Sequence, residues 1–411
     1  MIQLFENRFD GLKKKFPEGE APVRQQAFDY FKNIGLPTKK DENWKYTSLS
    51  FLTKSEFQTP VSAVQKYMPK IKAQLSADFY HIVFFNGLYQ PDLSSSIPFL
   101  KIGPLELKSE KYEDSLMALN WALAETPLSL EVPAGKIVDK PVQILFYSGS
   151  ETPTLSNPHL QILVGEQSRL TVVEDHQGEG ISALNGFVKL IAKASSHVTY
   201  VHNQEQDSEA YHLARTHFEI LQGAHVESIS FSAGAKLSRH SQKYSLKQTQ
   251  GFVKSLGLYV VSENQHSDHS GLIDHEVGQC ASYQTYKGLL KDQGKAVFNG
   301  RVLIRKDAQK AYSEQSNKNL LLSNGAEVDS KPQLEIYADD VQARHGSTVG
   351  QLDPEQLFYL NSRAIPTEKA LPMLSYGFLS EVIYQIEDQR VVNWLTPKLQ
   401  KLLRSIHLEK L

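Results

Sequence analysis

Short apolar segments alternate with polar turns along the middle of the chain, at intervals of roughly ten residues, a spacing typical of an all-β fold. The segments are Val142–Phe146, Leu160–Val164, Leu170–Val173, Phe187–Ala192, Val198–Val201, Phe218–Leu221, Val226–Phe231 and Phe252–Val261. A sandwich, barrel, propeller or solenoid would fit this spacing. Few segments alternate cleanly, and two-residue hairpin turns are scarce. Because parallel strands are buried on both faces, the pattern favours a β-solenoid, although no repeat of fixed period marks its coils.

The first 35 residues have helical spacing instead. Phe5, Phe9 and Leu12 recur at three- and four-residue steps, which places them on one face of a helix. A second helix is predicted to begin near Pro22 and to end at Gly35, since proline suits a first helical turn and glycine a C-terminal cap.

Between this helical start and the strand-rich region, the pattern is mixed. The segment Asp41–Thr47 is predicted to be a loop whose two aromatic side chains fill a gap. A buried strand is predicted at Ile82–Phe85, followed by a tight turn at Asn86-Gly87. One more helix is predicted over residues 110–126.

The segment Gly294–Ile365 contains a change of pattern. Its first part predicts short strands, with a tight turn at Asn324-Gly325 and a strand break at Pro332. After His345-Gly346 the spacing becomes helical. We therefore predict three regions: mostly helical residues 1–80, a β core over 81–345, and a helical domain over 346–411.

The C-terminal domain is predicted to contain three helices, the first opened by Asp353-Pro354. The apolar faces of the other two comprise Leu371, Leu374, Phe378, Val382 and Ile386, then Val392, Leu395, Leu399, Leu402, Leu403 and Ile406. These faces could pack on each other. Three short helices cover only part of such a surface, however, so an exposed apolar stripe is a candidate docking face for a partner.

The composition favours a globular protein and argues against nucleic-acid-binding, membrane-bound and disulfide-stabilised classes. The chain has 411 residues, of which 40% are hydrophobic and 22% charged, values typical of a globular protein with a large core. A net charge of −2 predicts no strong attraction to nucleic acid or anionic lipid. The single cysteine, Cys280, excludes an internal disulfide. With neither an apolar signal segment at the N-terminus nor a run long enough to span a bilayer, we expect a cytoplasmic protein.

The sequence lacks the motifs of familiar nucleotide enzymes and hydrolases, including the P-loop, the dinucleotide fingerprint, H-E-x-x-H and the G-x-S-x-G elbow. Its densest group of potential metal ligands is His266, Asp268, His269, Asp274, His275 and Cys280. Imidazole, carboxylate and thiolate are ligands of iron, zinc and copper, so Cys280 and His275 are candidate ligands in a metal-dependent enzyme on a β-solenoid. However, alternate side chains of a strand face opposite ways, and these residues are equally consistent with polar strand positions beside an inert buried thiol.

His345 is a separate candidate, at the predicted junction of strand and helix. Gly346 beside it allows a close backbone approach. A lone histidine is more often structural than a ligand, so the residue alone does not decide between the two roles.

Several segments spread over the chain resemble one family. They are DENWKYT, DHSGLIDHEVGQCASYQTYKGLL, NGRVLIRKDAQK, QSNKNLLLSNGAEVDSKPQLEIYADDV, HGSTVGQLD and FYLNSRAIP. In this order they resemble the SufB/SufD family of iron–sulfur cluster assembly proteins, and its SufD branch in particular. Residues 50–240 carry little of the resemblance.

The resemblance implies a right-handed parallel β-helix between helical segments. It also implies a non-catalytic scaffold subunit that pairs with a SufB paralogue, binds the ABC-type ATPase SufC through its C-terminal helices, and aids iron entry and cluster assembly. The ATPase would then supply the missing P-loop. An isolated chain could form a homodimer, because the interface edge of a β-helix is adhesive when unpaired. A purely structural adhesion or sugar-binding solenoid is a further alternative.

The resemblance also implies a site. The family's SufD histidine, implicated in building the nascent cluster with a SufB cysteine, falls on His345. Many SufD sequences have a cysteine two residues earlier, where this chain has Ala343. We therefore expect His345 to act as an iron or cluster ligand while the partner supplies sulfur ligands, with iron or a cluster present transiently and no resident cofactor.

Overall fold

The computed structural model describes residues 3–17, 19–54, 56–59 and 63–408. Its α-helices are α1 (Gln3–Lys13), α2 (Ala21–Ile34), α3 (Phe51–Lys54), α4 (Val64–Gln74), α5 (Ser115–Leu123), α6 (Pro354–Ser362), α7 (Thr367–Ile383) and α8 (Gln389–Leu408). Two short 3₁₀ helices lie at Glu42–Trp44 and Pro91–Leu93. The two predicted N-terminal helices are confirmed, since Phe5, Phe9 and Leu12 of α1 are buried and Gly35 ends α2.

The rest of the chain is dominated by strands. They are β1 (Tyr80–Phe85), β2 (Leu88–Tyr89), β3 (Lys101–Pro104), β4 (Leu128–Val132), β5 (Val142–Gly149), β6 (Thr154–Ser156), β7 (His159–Val164), β8 (Arg169–Glu179), β9 (Ser182–Ala192), β10 (His197–Gln204), β11 (Tyr211–Ile220), β12 (His225–Ser232), β13 (Leu237–Leu246), β14 (Phe252–Val261), β15 (His266–His275), β16 (Ala281–Leu290), β17 (Lys295–Ile304), β18 (Tyr312–Leu321), β19 (Glu327–Ile336) and β20 (Gln342–Gly350).

From β7 onward, successive strands alternate between two sheets. One sheet has the order β2-β1-β5-β8-β10-β12-β14-β16-β18-β20, and the other has the order β19-β17-β15-β13-β11-β9-β7-β4-β3. From β5 onward along the first sheet, and from β7 onward along the second, neighbouring strands are parallel. The molecule is therefore a parallel β-solenoid of about eight turns, and the predicted fold class is confirmed.

A column of turns passes through residues in the left-handed region, and most of their backbone N–H groups donate to the next coil. Gly135, Gln167, Ser195, Gly223 and Gln250 form one such column, with φ between +55° and +69°. Gln167 N donates to Ala194 O at 2.9 Å, and Ser195 N donates to Gln222 O at 2.8 Å. Glycine, which adopts this conformation without strain, occupies only two positions of the column, so the structural repeat leaves no repeat in the sequence.

Helices cover the outer face of each sheet. Helices α1, α2 and α5 pack with Leu155, Phe187 and Leu213 in one apolar cluster, and α7 and α8 pack with Val201, Ile229 and Leu256 in another. The apolar face of α8 is buried against the chain's own sheet. The exposed stripe predicted for the last helices is therefore wrong for α8, because its leucines cover the solenoid.

The exposed apolar side chains of this domain lie on other surfaces. Phe358, Tyr359, Met373 and Tyr384 are more than half exposed, and α6 buries none of its residues. Asp353 caps α6 by accepting from Glu355 N at 2.9 Å, as predicted for the Asp353-Pro354 opening.

Three local predictions were wrong. Pro332 does not break a strand: it lies within β19 in register with Gly300, where an edge strand tolerates a residue without N–H. The helix expected over residues 110–126 is present but its predicted bounds are wrong, since it spans only Ser115–Leu123. It begins after Asp114, which caps it by accepting from Met117 N at 2.8 Å. The last strand continues past His345 to Gly350. The end of the predicted C-terminal region, residues 409–411, lies outside the described residues.

Across the part of the chain that the structure describes, no helix combines the length and apolar character needed to cross a membrane.

Candidate functional site at the open end of the solenoid

The solenoid ends in two strands that each have a neighbour on one side only. Strand β19 pairs with β17, and β20 pairs with β18, while no described strand covers their other edges. Most of β20 is exposed and β19 is half-buried. An uncovered strand presents a row of free backbone donors and acceptors, which is a template for pairing with another chain.

His345 lies in the middle of β20, at the mouth of the solenoid lumen. It is in register with Gln315 of β18, which is in turn in register with Gln284 of β16. Both glutamine side chains are buried, and Gln315 Nε2 donates to Gln284 Oε1 at 2.6 Å. Because none of the described strands lies beyond β20, the His345 side chain is exposed. The imidazole thus lies at the end of a column of buried polar side chains.

Polar side chains continue from this mouth into the lumen. Ser347 Oγ is 2.8 Å from Ser330 Oγ on the opposite sheet, and Ser330 donates to Asn317 Oδ1 at 2.7 Å. Asn317 Nδ2 donates to the buried Tyr259 hydroxyl at 3.2 Å. The Gln315 Oε1 atom lacks a hydrogen-bond partner among the described residues. The open end therefore offers both an unpaired backbone edge and a polar centre with unused hydrogen-bonding capacity.

The rim of the open end combines charged and apolar groups. Arg344 Nη2 donates to Glu314 Oε2 at 2.7 Å, and this bond lowers the pKa of the Glu314 carboxyl. Three large apolar side chains around it, Ile336, Tyr337 and Val349, are between 42% and 63% exposed. Such a mixture of a polar rim and exposed apolar groups is typical of a surface covered by a partner.

Cys280 lies away from solvent in the apolar core of the lumen, where its thiol donates to Gln248 O at 3.3 Å. Burial raises the pKa of this thiol. Because the thiolate is the metal ligand, this environment favours the inert form. Ala343, which replaces the cysteine frequent in the resembling family, is partly buried against the same core.

The six potential ligands between His266 and Cys280 do not converge. Outward-facing Asp268 forms an ion pair with Arg239, and Asp274 accepts two hydrogen bonds from Arg305 at 2.9 and 2.7 Å. His275 instead lies inside the lumen, with Nε2 2.8 Å from Ser282 Oγ, and burial lowers the pKa of His275 to about 4. Within the described ranges, none of the six belongs to a group of convergent ligand atoms. The alternation of strand side chains separates them onto two faces.

The loop at Asp41–Thr47 holds the N-terminal region against the solenoid. Trp44 is buried, with the Arg239 guanidinium 4.2 Å from its ring centroid, and the Thr47 hydroxyl donates to Asp268. Lys331 Nζ is 2.7 Å from Glu42 Oε1. The gap-filling interpretation is correct for Trp44, whereas Tyr46 is 38% exposed.

Sequence reasoning missed two groups of convergent ligands: His176 with His202 and His212, and His197 with His225 and Glu387. In each group the ligand atoms lie within 4.8 Å of one another. Their members are far apart in sequence and belong to no local motif. Only the strand register brings them together.

These features define a class of protein: a parallel β-solenoid with helices on both outer faces, capped at one end and open at the other. The family model described as "SUF system FeS cluster assembly, SufBD core domain" matches residues 146–378, and the model for the "SufBD protein N-terminal region" matches residues 1–78.

Individual relatives agree with these matches. The chain is 30% identical to "Iron-sulfur cluster assembly protein SufD" of Escherichia coli, over 90% of both chains. It is 30% identical to the protein of the same description from Bacillus subtilis, over 70% of this chain and 67% of that one. It is 27% identical to "Protein ABCI7, chloroplastic" of Arabidopsis thaliana, over 95% of this chain and 88% of that one. The chain belongs to the SufBD family, and it is a SufD-like iron–sulfur cluster assembly protein.

Proposed function

We propose that this chain is a non-catalytic scaffold subunit that pairs with a SufB-type paralogue through its open end and helps to assemble a cluster at the junction. The observation that carries this proposal is the position of His345 at the mouth of a lumen whose two edge strands are uncovered. A second solenoid of the same kind could continue both sheets across these edges.

His345 would be the chain's contribution to the site. A neutral imidazole is a competent iron ligand, and an exposed one at an interface is free to share an ion with a partner. With Ala343 in place of a cysteine and Cys280 buried, sulfur ligands would come from the paralogue. Iron or the nascent cluster is the substrate of the assembly and would stay on this chain only transiently.

The C-terminal helices would dock the ABC-type ATPase SufC. Because α8 is already packed on the solenoid, the surface that remains for a partner is α6 with the outer side of α7. Its exposed aromatic residues, Phe358 and Tyr359, suit an apolar contact. ATP hydrolysis would belong to that partner, and the assembly would work in the cytoplasm. Alone, the chain could pair with a second copy through the same open end.

A co-expression experiment tests the proposal. The chain would be produced with its SufB-type and SufC-type partners, and the complex would be loaded with iron and sulfide under anaerobic conditions. We expect the His345→Ala variant to form the complex normally but to accumulate at least about tenfold less cluster, since a lost ligand is not replaced by alanine.

Gln342→Ala is the matched control. Gln342 is exposed on the same strand, but it is three residues from His345, so its side chain points to the opposite face of the sheet. It should retain both complex and cluster. Equal cluster content in His345→Ala and Gln342→Ala would rule out the proposed ligand, and the absence of any complex would rule out the scaffold role.

A further inference from the structure

The polar part of the lumen near the capped end contains three buried histidines that meet from opposite sheets. His176 and His202 lie on the neighbouring strands β8 and β10, whereas His212 lies on β11 of the other sheet. Each is at most 1% exposed. One nitrogen from each ring lies within 4.8 Å of the other two. Three imidazoles from both walls of the solenoid therefore converge on one interior point.

In each of these rings one nitrogen lies near a side-chain oxygen, which leaves the other nitrogen as the candidate metal ligand. His176 Nε2 is 2.7 Å from Glu174 Oε1, and His202 Nδ1 is 3.4 Å from the other oxygen of the same carboxylate. His212 Nδ1 is 2.8 Å from Gln206 Oε1. An acceptor thus lies beside one nitrogen of every ring, which is the arrangement that orients histidine ligands of metals. The remaining atoms are Nδ1 of His176 and Nε2 of His202 and His212.

The spacing of two of these nitrogens fits a metal ion. His202 Nε2 and His212 Nε2 are hydrogen-bonded to each other at 3.1 Å, a contact that a shared ion would replace. Two nitrogens bound to one tetrahedral Zn²⁺ at 2.0–2.1 Å are separated by about 3.3 Å, so this pair needs little movement to share an ion. His176 Nδ1 is buried and has no hydrogen-bond partner among the described residues. A buried polar atom left without a partner is the exception in folded proteins.

The charges of the site point the same way. The Glu174 carboxylate is buried beside the rings. The recorded partners of this buried carboxylate are His176, His202 and Tyr200, with no lysine or arginine among these described contacts. A buried carboxylate without a basic side chain beside it lacks a counter-charge, which a divalent cation held by the three rings would supply.

We propose that His176, His202 and His212 bind one divalent transition-metal ion, Zn²⁺ or Fe²⁺, inside the solenoid, with Glu174 and Gln206 as the residues that orient the rings. Imidazole ligands suit these ions, and three of them leave a fourth position for water. This site is separate from His345 and does not depend on the proposed function. Because the rings are buried, the ion would enter while the coils close during folding.

Metal analysis of the isolated chain tests this site. The protein would carry a tag without histidines and would be refolded from denaturant with Zn²⁺ or, anaerobically, with Fe²⁺, then passed through a desalting column. We expect about one ion per chain in the wild type and less than about a tenth of that in His212→Gln, because two remaining histidines hold a metal weakly. In His269→Gln, a matched change of a buried lumen histidine outside the group, the metal should remain.

Two further readouts keep the test independent of the variants' folding. Co²⁺ refolded into the wild type should give the visible absorption bands of a tetrahedral nitrogen site, and anomalous scattering from Zn²⁺-containing crystals should place the ion between the three rings. No retained ion in the wild type after either refolding would overturn the proposal. The same would follow if His212→Gln and His269→Gln retained equal amounts of metal, or if the anomalous peak lay elsewhere.

Discussion

The two ends of the solenoid are built differently. At one end each sheet finishes in a short antiparallel strand, because β2 folds back on β1 and β3 folds back on β4. Phe84 stacks on Phe146 inside this end, with ring centroids 4.7 Å apart. At the other end β19 and β20 are long, and no strand in the described part of the chain covers their outer edges; the mouth of the lumen holds His345 and serines.

The two ends therefore have different roles: the closed end stabilises the isolated chain, whereas the open end is available for association with a partner. Solenoids need a cap that shields the last coil, and the first end has one made from its own chain. The second end lacks such a cap in the described residues, so a partner is expected to provide it. Truncations in the core of the closed end should therefore destabilise the protein, whereas charges introduced on the rim of the open end should leave the isolated chain folded and weaken its assembly.

The largest effect is expected from Phe146→Ala at the closed end. Phe146 is buried between Phe84 and His176, and truncating such a side chain costs about 3–5 kcal/mol in the free energy of unfolding. Val349→Ala at the open end, where the side chain is 51% exposed, should cost less than about 0.5 kcal/mol. Urea denaturation followed by circular dichroism measures both. Similar losses at the two ends would contradict the distinction.

The second effect concerns association. A double substitution, Tyr337→Glu with Val349→Glu, places two charges on the rim of the open end. We expect about a hundredfold weaker binding to the SufB-type paralogue, because unpaired charges would be desolvated at the interface. Ile137→Glu is the control, since Ile137 is 61% exposed but lies near the closed end. Isothermal titration calorimetry should show an unchanged Kd for that control, and a similar loss in both variants would place the interface elsewhere.

The smallest effect is a dependence of stability on pH that both ends share. Burial lowers the pKa of His159, near the closed end, to about 3, and that of His275, nearer the open end, to about 4. The unfolded chain takes up protons on these rings near pH 6.5, whereas the folded chain resists until pH 4 or below. The free energy of unfolding should thus fall as pH drops from about 6.5 to about 4, by on the order of 3 kcal/mol for each histidine.

The variant His275→Gln checks this linkage. Glutamine can still hydrogen-bond to Ser282 but does not titrate, so the loss of stability between these pH values should become smaller by the contribution of one histidine. Denaturation midpoints at several pH values measure it. An unchanged pH dependence in His275→Gln would show that another group is responsible.

The strands and helices could be predicted from the sequence where one local signal determined them. Pro22 and Gly35 bound the second helix, and Asn86-Gly87 forms the predicted tight turn, with both residues at positive φ. Pro332 misled because a proline breaks an internal strand but fits an edge strand, and the position of β19 at the edge is a property of the whole sheet. The lack of a sequence repeat also has a structural reason. The left-handed positions of the turns are occupied by Gln and Ser as well as by Gly, so equivalent positions do not share a residue type.

The candidate sites were predictable to different degrees. His345 was found through its resemblance to a family segment, and the structure adds that it lies at an open edge. The predicted group from His266 to Cys280 is compact in sequence but divided between two faces of β15 and the core. His176, His202 and His212 show the reverse: their strands are separated in sequence, and their convergence depends on the parallel register and on the closure of the lumen.

The most direct test of the open end as a pairing surface is hydrogen–deuterium exchange of the isolated chain and of its complex with the SufB-type paralogue. If β20 pairs with a strand of the partner, the backbone amides of Gln342–Gly350 should exchange much more slowly in the complex, while those of β1 and β2 at the closed end should not change. A complex in which Gln342–Gly350 exchanges as fast as in the isolated chain would contradict pairing through this edge.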